Sequence, residues 1–220
     1  MALLLGVSER LYWSLENGVV RPYPRTMIDG VARILNLTPV EAEALYIHAG
    51  HPIPRRPATR PDPLLVDMVE RQTGCISYLS DEAWDVLACN PLGGLHAPWL
   101  TKPNANIVTW AFSPDASFQL REFDKCWALP ILAEVRATWQ RCPDNARLAE
   151  VVAEVRARPG VNALWERTAR TEPYLGERPM FFPLLSPDPV DVHMLALNPF
   201  GDQYLRWIIM VPTTPGIELI

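Results

Sequence analysis

The sequence predicts an α+β chain in two parts: a small all-α N-terminal domain, then a larger domain in which an antiparallel sheet carries inserted helices. Three observations point to it. Five prolines crowd the stretch from His51 to Pro63 and forbid a helix or central strand there. Short, capped helical patterns fill residues 1–50. Runs rich in β-formers occur near both ends of residues 64–220, with helical patterns between them. The domains are therefore 1–50, a linker at 51–63, and 64–220. A chain of 220 residues, 49% hydrophobic, with a mean hydropathy of zero, excludes disorder as the whole answer. No apolar run approaches the roughly 18 residues of a membrane span. The opening Met-Ala-Leu-Leu-Leu-Gly lacks the cationic start and length of a signal peptide, so a cytoplasmic protein with no membrane partner is expected.

The elements of the first domain follow from punctuation. Met1 to about Leu5 is read as a first helix, with Gly6-Val7 as a tight turn. Ser8 caps a second helix that runs to Asn17 and stops at Gly18. A third, about Pro24 to Asn36, sets Ile28, Val31, Ala32 and Leu35 on one face. The fourth starts at the capping box Thr38-Pro39-Val40-Glu41 and ends at Ala49-Gly50. Residues 1–60 carry seven arginines against five acids, whereas residues 61–220 carry 13 basic and 20 acidic residues, so only the first part suits a polyanion.

Leu-Gly-Val-Ser followed by Glu-Arg-Leu-Tyr-Trp-Ser-Leu-Glu-Asn-Gly resembles the turn and recognition helix of the phage-repressor (Cro-type, XRE) helix-turn-helix family. Val7, Tyr12 and Leu15 fall where that family buries apolar residues, and Leu15-Glu16-Asn17-Gly18 matches its helix ending. The resemblance implies double-stranded DNA as a partner and a homodimer that reads paired half-sites. It places Ser8 at the start of the groove-entering helix and makes Glu9, Arg10, Trp13 and Ser14 its groove-facing residues. Asn17 and Arg21 match backbone-holding positions. The family's leading helix has no counterpart in these residues, so either the true start lies upstream of Met1 or the domain is truncated.

In the second domain, Cys-Ile-Ser-Tyr-Leu, the turn Ser-Asp-Glu and Trp-Asp-Val-Leu-Ala-Cys-Asn-Pro read as a hairpin over residues 74–90. Pro179–Leu185, Val190–Asn198 and Gln203–Val211 supply three more strands. The helical middle is placed at about Ser113 to Thr171. Pro130 restarts one helix within it, and Arg158-Pro159-Gly160 stops another. Strands from both ends with helices between is the order of PAS-like sensor domains. Trp84 to Asn90, Asn106 to Phe112, the helix around Ala133 to Ala137, Asn145 to Val155 and Ala163-Leu164-Trp165 are similar to the ligand-binding domain of MmyB-like transcription regulators. That family often has His-Pro at the start of the third strand, where this chain has Phe182-Pro183, so a ligand contact by that histidine is lost or altered.

The resemblance implies a regulator whose PAS-like pocket senses a fatty acid or similar lipid, with no cofactor. The alternative is a lipid-binding protein whose incomplete helix-turn-helix does not hold DNA. Aromatic residues line pockets and also fill cores, and Trp110, Phe112, Trp127 and Trp139 are open to both readings. Arg136 shares a helical face with Leu132 and Trp139, which suits either a carboxylate anchor or a snorkelling arginine paired with an acid such as Glu134. Tyr78, Asn90, His193 and Trp207 lie on strands that could face the helices, or are satisfied core groups. No catalytic signature is present: Gly93-Gly94 lacks phosphate-loop spacing, and His48, His51, His96 and His193 are scattered. Cys75, Cys89, Cys126 and Cys142 have no metal-binding spacing and are expected as reduced thiols. Asp81, Glu82 and Asp85 are read as turn acids.

Overall fold

A computed structural model describes residues 1–51, 60–168, 176–199 and 204–219. The chain divides into two units, Met1–Thr59 and Arg60–Ile220. Residues 52–59, most of the proline-rich segment, lie outside the described residues.

In the first unit the expected helix at Met1–Leu5 is only one turn, closed by the Leu5 N–H on the Met1 carbonyl at 3.1 Å. Five residues cannot offset the cost of helix nucleation, and Gly6, at φ +65°, turns the chain away. Helix α1 (Glu9–Glu16) begins where the Ser8 hydroxyl accepts the Leu11 N–H at 3.2 Å. Helix α2 (Arg25–Ile34) stops short of Asn36, which turns left-handed at φ 49°. Its buried face is Met27, Ile28, Gly30 and Val31, whereas Leu35, expected inside, is 49% exposed. A Cβ on Gly30 would stand 2.6 Å from the Leu5 side chain, so glycine lets the opening turn approach α2. Helix α3 (Pro39–His48) carries the complete capping box of Thr38 and Glu41. Tyr23, Met27, Ile28 and Tyr46 form the core, with Val7, Leu11, Tyr12 and Leu15 packed on it.

The second unit opens with a helix at the end of the expected linker and beyond it, where no element was expected. Helix α4 (Pro63–Glu70) takes Asp62 as its cap and proline in its first turn, where no N–H is needed. The strands are β1 (Ile76–Ser80), β2 (Val86–Cys89), β3 (Arg178–Met180), β4 (Val190–Leu197) and β5 (Arg206–Pro212). They form one five-stranded antiparallel sheet in the order β2-β1-β5-β4-β3. Strand β3 is shorter than the expected run to Leu185, because the Phe181 N–H is donated to Gln119 and Pro183 has none to give. Of the turn at 198–202, only Asn198 and Pro199 are described.

The helical middle starts at Pro91 rather than Ser113. Helix α5 (Pro91–His96) is capped by Asn90, and α6 (Ile107–Ala111) by Asn106. A wide π turn at Asp124–Ala128 runs into α7 (Leu129–Arg141), with Pro130 in its first turn. Helix α8 (Ala146–Arg156) is capped by Asn145, and Gly160, at φ 80°, opens α9 (Val161–Arg167). Helix α4 covers one face of the sheet through Val69, Leu65 and Val66, packed on Leu79, Ala88 and Trp207. Helices α7, α8 and α9 share a second core of Leu132, Val135, Leu148, Val151 and Trp165. No helix among the described residues is long and apolar enough to cross a membrane.

Candidate functional site

The pleat decides which side chains of the second unit share a face. Tyr78 pairs with Ile208 and Ser80 with Arg206, while Met210 faces Met194 across β5 and β4. These residues point to the face opposite α4. Between that face and the helical middle lies a cavity of about 1150 Å³. Its sheet wall is Tyr78, Met180, Met194, Ile208 and Met210, and its helical wall includes Ile107, Trp110, Trp127 and Ile131. Trp99 and Trp110 stack at 3.8 Å between ring centres and 11° between planes, which gives the cavity a rigid aromatic side.

Four of the expected ligand residues line this cavity: Tyr78, Trp110, Trp127 and Arg136. The other five do not. Asn90 is spent on structure: its Oδ1 accepts from Ser77 and Gly93 at 2.9 Å, and its Nδ2 donates to Gln72 and Cys75. His193 is exposed on the opposite face of the sheet. Trp207 packs under α4 there, its Nε1–H donated to Ser77 at 2.8 Å. Trp139 lies edge-on to Trp165 in the helical core, and Phe112 lies edge-on to Phe123. Phe182 follows β3, fully buried against the edge of His96, and does not reach the cavity wall.

The cationic residues divide by what they already hold. Arg136 donates to the Trp165 carbonyl at 3.0 Å and to Thr168 at 3.3 Å, which ties α7 to α9 rather than to Glu134. Arg206, missed in the sequence, occupies the inner face one residue before Trp207. It donates to the Asp81 carbonyl at 2.8 Å and Thr138 at 2.9 Å, and its guanidinium lies 4.1 Å from the centre of the Trp84 ring. Burial, more than the neighbouring Arg141 charge, pulls its pKa down. That clamp holds Trp84 at φ 64°, a left-handed conformation a bulky side chain rarely takes.

The hairpin acids do more than shape a turn. Asp81 does so, accepting the Ala83 and Asp85 N–H groups, but Asp85 makes a two-pronged ion pair with Arg147 at 2.8 and 2.9 Å. That pair raises the pKa of Arg147. Glu82 is buried and accepts from Asn145 and from the Cys142 thiol. All four cysteines are free, and no three metal-binding side chains gather among the described residues.

On the first unit, Glu9, Arg10 and Trp13 stand exposed on α1, with Trp13 at 59%. Ser14, expected to face out, is buried and donates to the Arg10 carbonyl at 2.8 Å. Ser8 caps the helix, Asn17 closes it by donating to the Trp13 carbonyl, and Arg21 is exposed.

No curated protein matches this chain. Residues 61–218 match the family described as the MmyB-like transcription regulator ligand binding domain. The match runs over α4, the whole sheet, every helix of the middle and the cavity they enclose. By that match over most of its length, the chain belongs to the MmyB-like transcription regulator family, and its larger unit is the ligand-binding domain.

Proposed function

We propose that this protein is a DNA-binding transcription regulator whose larger unit senses a fatty acid or similar lipid in the cavity between sheet and helices. The observation that carries the reading is the wall itself. Methionine, isoleucine and tryptophan side chains from β3, β4, β5, α6 and α7 converge on one part of the space, while arginines and other polar groups line the rest of it. Each methylene buried there contributes about 0.8 kcal/mol, so a long chain binds without elaborate polar recognition. The exposed row Glu9, Arg10 and Trp13 on a Ser-capped helix supports the DNA half, with Arg10 as a guanine reader. A homodimer fits that half, because one such helix reads only a few base pairs. Ligand and DNA are coupled if the lipid favours one arrangement of the regulator.

One experiment tests both halves. Native mass spectrometry of the purified protein, followed by organic extraction, is expected to find a co-purified lipid. Stripping and restoring that lipid is expected to change affinity for the protein's own promoter DNA. A protein that emerges empty, and that added fatty acids stabilise no more than a detergent does, refutes the sensor reading. Unchanged DNA affinity refutes the coupling.

A further inference from the structure

His96 ends α5 with one ring nitrogen unserved. The residue is 8% exposed, and its Nδ1 is shut away from solvent with no hydrogen-bond partner among the described residues. Its ring stands edge-on to the fully buried Phe182, at 5.9 Å between centres and 83° between planes. The main chain of the same residue holds the aromatic side of the cavity. The His96 carbonyl accepts from Gln119 Nε2 at 2.8 Å, and Gln119 Oε1 accepts the Trp99 indole N–H at 3.2 Å. Trp99 is the ring that stacks on Trp110. The Gln119 carbonyl takes the Phe181 N–H at 2.8 Å, so the same stretch ties down the residue before Phe182. Helix α5, the Pro98–Thr101 turn and residues 181–186 carry no ionisable side chain other than His96. On the strands beside them, Tyr78 of β1 and Cys89 of β2 are both pushed up by burial and stay neutral near pH 6, the lower half of the histidine range. Residues 114–122 carry Asp115 and Glu122, both exposed, and Arg121, whose guanidinium lies over the Phe181 ring at 5.0 Å. Arg178 of β3 lies over the Trp127 ring at 5.1 Å.

We propose that His96 is an acid-sensitive latch on the aromatic wall: on gaining a proton the ring lifts off Phe182 and slackens the hold of α5 on Gln119, Trp99 and Trp110. The latch does not depend on what occupies the cavity. A neutral imidazole needs only one N–H, so it can leave Nδ1 bare. A charged one carries N–H groups on both nitrogens, and the one at Nδ1 then points into packed side chains with no acceptor. Among the described residues no carboxylate pairs with the ring, and burial alone holds its pKa below the ordinary 6.5. A loosened His96 takes its proton near 6.5. The contribution of the neutral ring is therefore full above about 6.5 and is lost as pH falls through the lowered value. His193, the other histidine of the larger unit, is exposed on the far face of the sheet and stands outside this wall.

The test is hydrogen exchange of the full chain at about pH 7.5 and about pH 5, either side of the histidine range, corrected for the intrinsic pH dependence of amide exchange. It is run on the wild type, His96→Leu and His96→Gln. In the wild type, residues 91–102 and 106–112 are expected to exchange about tenfold faster at the acid end, the order that a single proton-linked group supplies. Residues 146–156 should hold. Leucine fills the site without titrating and glutamine keeps a polar group there, so either variant decides the matter if the other does not fold. Each should show the same protection at both ends. An NMR titration of the wild-type imidazole needs no variant and is expected to place it below the ordinary value. A response that persists in the variants, a wild type that exchanges alike at both ends, or an imidazole that titrates at its ordinary value or above overturns the latch. A rise shared equally by residues 146–156 also overturns it, since that reports acid unfolding of the whole unit.

Discussion

At the scale of single residues, polar groups in this chain do their work by where their second hydrogen bond goes. Asn90 sits in a strand-like stretch and looks available to a ligand, yet its amide joins two backbone N–H groups to two carbonyls and is consumed. Tyr46 does the same in the small unit: its hydroxyl donates to Asp29, with Arg25 5.1 Å from its ring centre. Burial, and then the Asp29 bond, push its phenol up to about 12. An unfolded tyrosine ionises near pH 10, so the contribution of Tyr46 is fully present below about 10 and is lost as pH rises toward 12. The small unit is therefore expected to lose melting temperature across that window, and Tyr46→Phe should flatten that part of the pH profile. An unchanged profile in the variant would show that another group governs the alkaline limit. Apart from the local Asn90–Gly93 cap, these hydrogen bonds were not legible in the sequence, because they join residues 13 to 18 apart along the chain.

Among elements, legibility depended on whether a signal was local. The Ser8 and Thr38 caps and the stops at Gly18 and Gly50 could be read directly, since each acts within four residues. Thr38→Ala should cost the small unit about 1 kcal/mol. Hydrogen exchange should quicken in the first turn of α3 and stay unchanged across residues 61–218; a loss spread over both units would refute a local cap. Other elements stayed hidden. Helices α5 and α6 start at asparagines that read equally well as turn residues. The facing of β5 was ambiguous for a different reason. Because α4 covers one side and the helical middle the other, both faces of the central strands are apolar, and alternation cannot tell Arg206 from Trp207. Trp207 was among the residues that could face the helices, but Arg206 faces them instead, held on Trp84 and Thr138. The candidate site was half legible for this reason: Tyr78, Trp110 and Trp127 could be picked by type, while Arg178 and Arg206 needed the sheet register.

For the molecule as a whole, each unit holds its own apolar cluster: Tyr23, Met27, Ile28 and Tyr46 in one, and the sheet and helical cores in the other. A fragment covering residues 60–220 is expected to fold alone and to bind dodecanoate as the full chain does, measured by circular dichroism and fluorescence titration. A fragment that aggregates or binds nothing would show that the small unit completes the larger one. The strand order has a further consequence in time. Strand β1 pairs with β5, and Ile76 meets Met210 across nearly the whole length of the larger unit. On a ribosome that emits the chain from its N-terminus, the three helices of the small unit can form while synthesis continues, but β1, with β2 on one side, waits for β5 on the other. The domain closes only when its last strand emerges. A nascent chain halted before Arg206 thus carries an open apolar face instead of a smaller sensor, and is a target for chaperones and proteases.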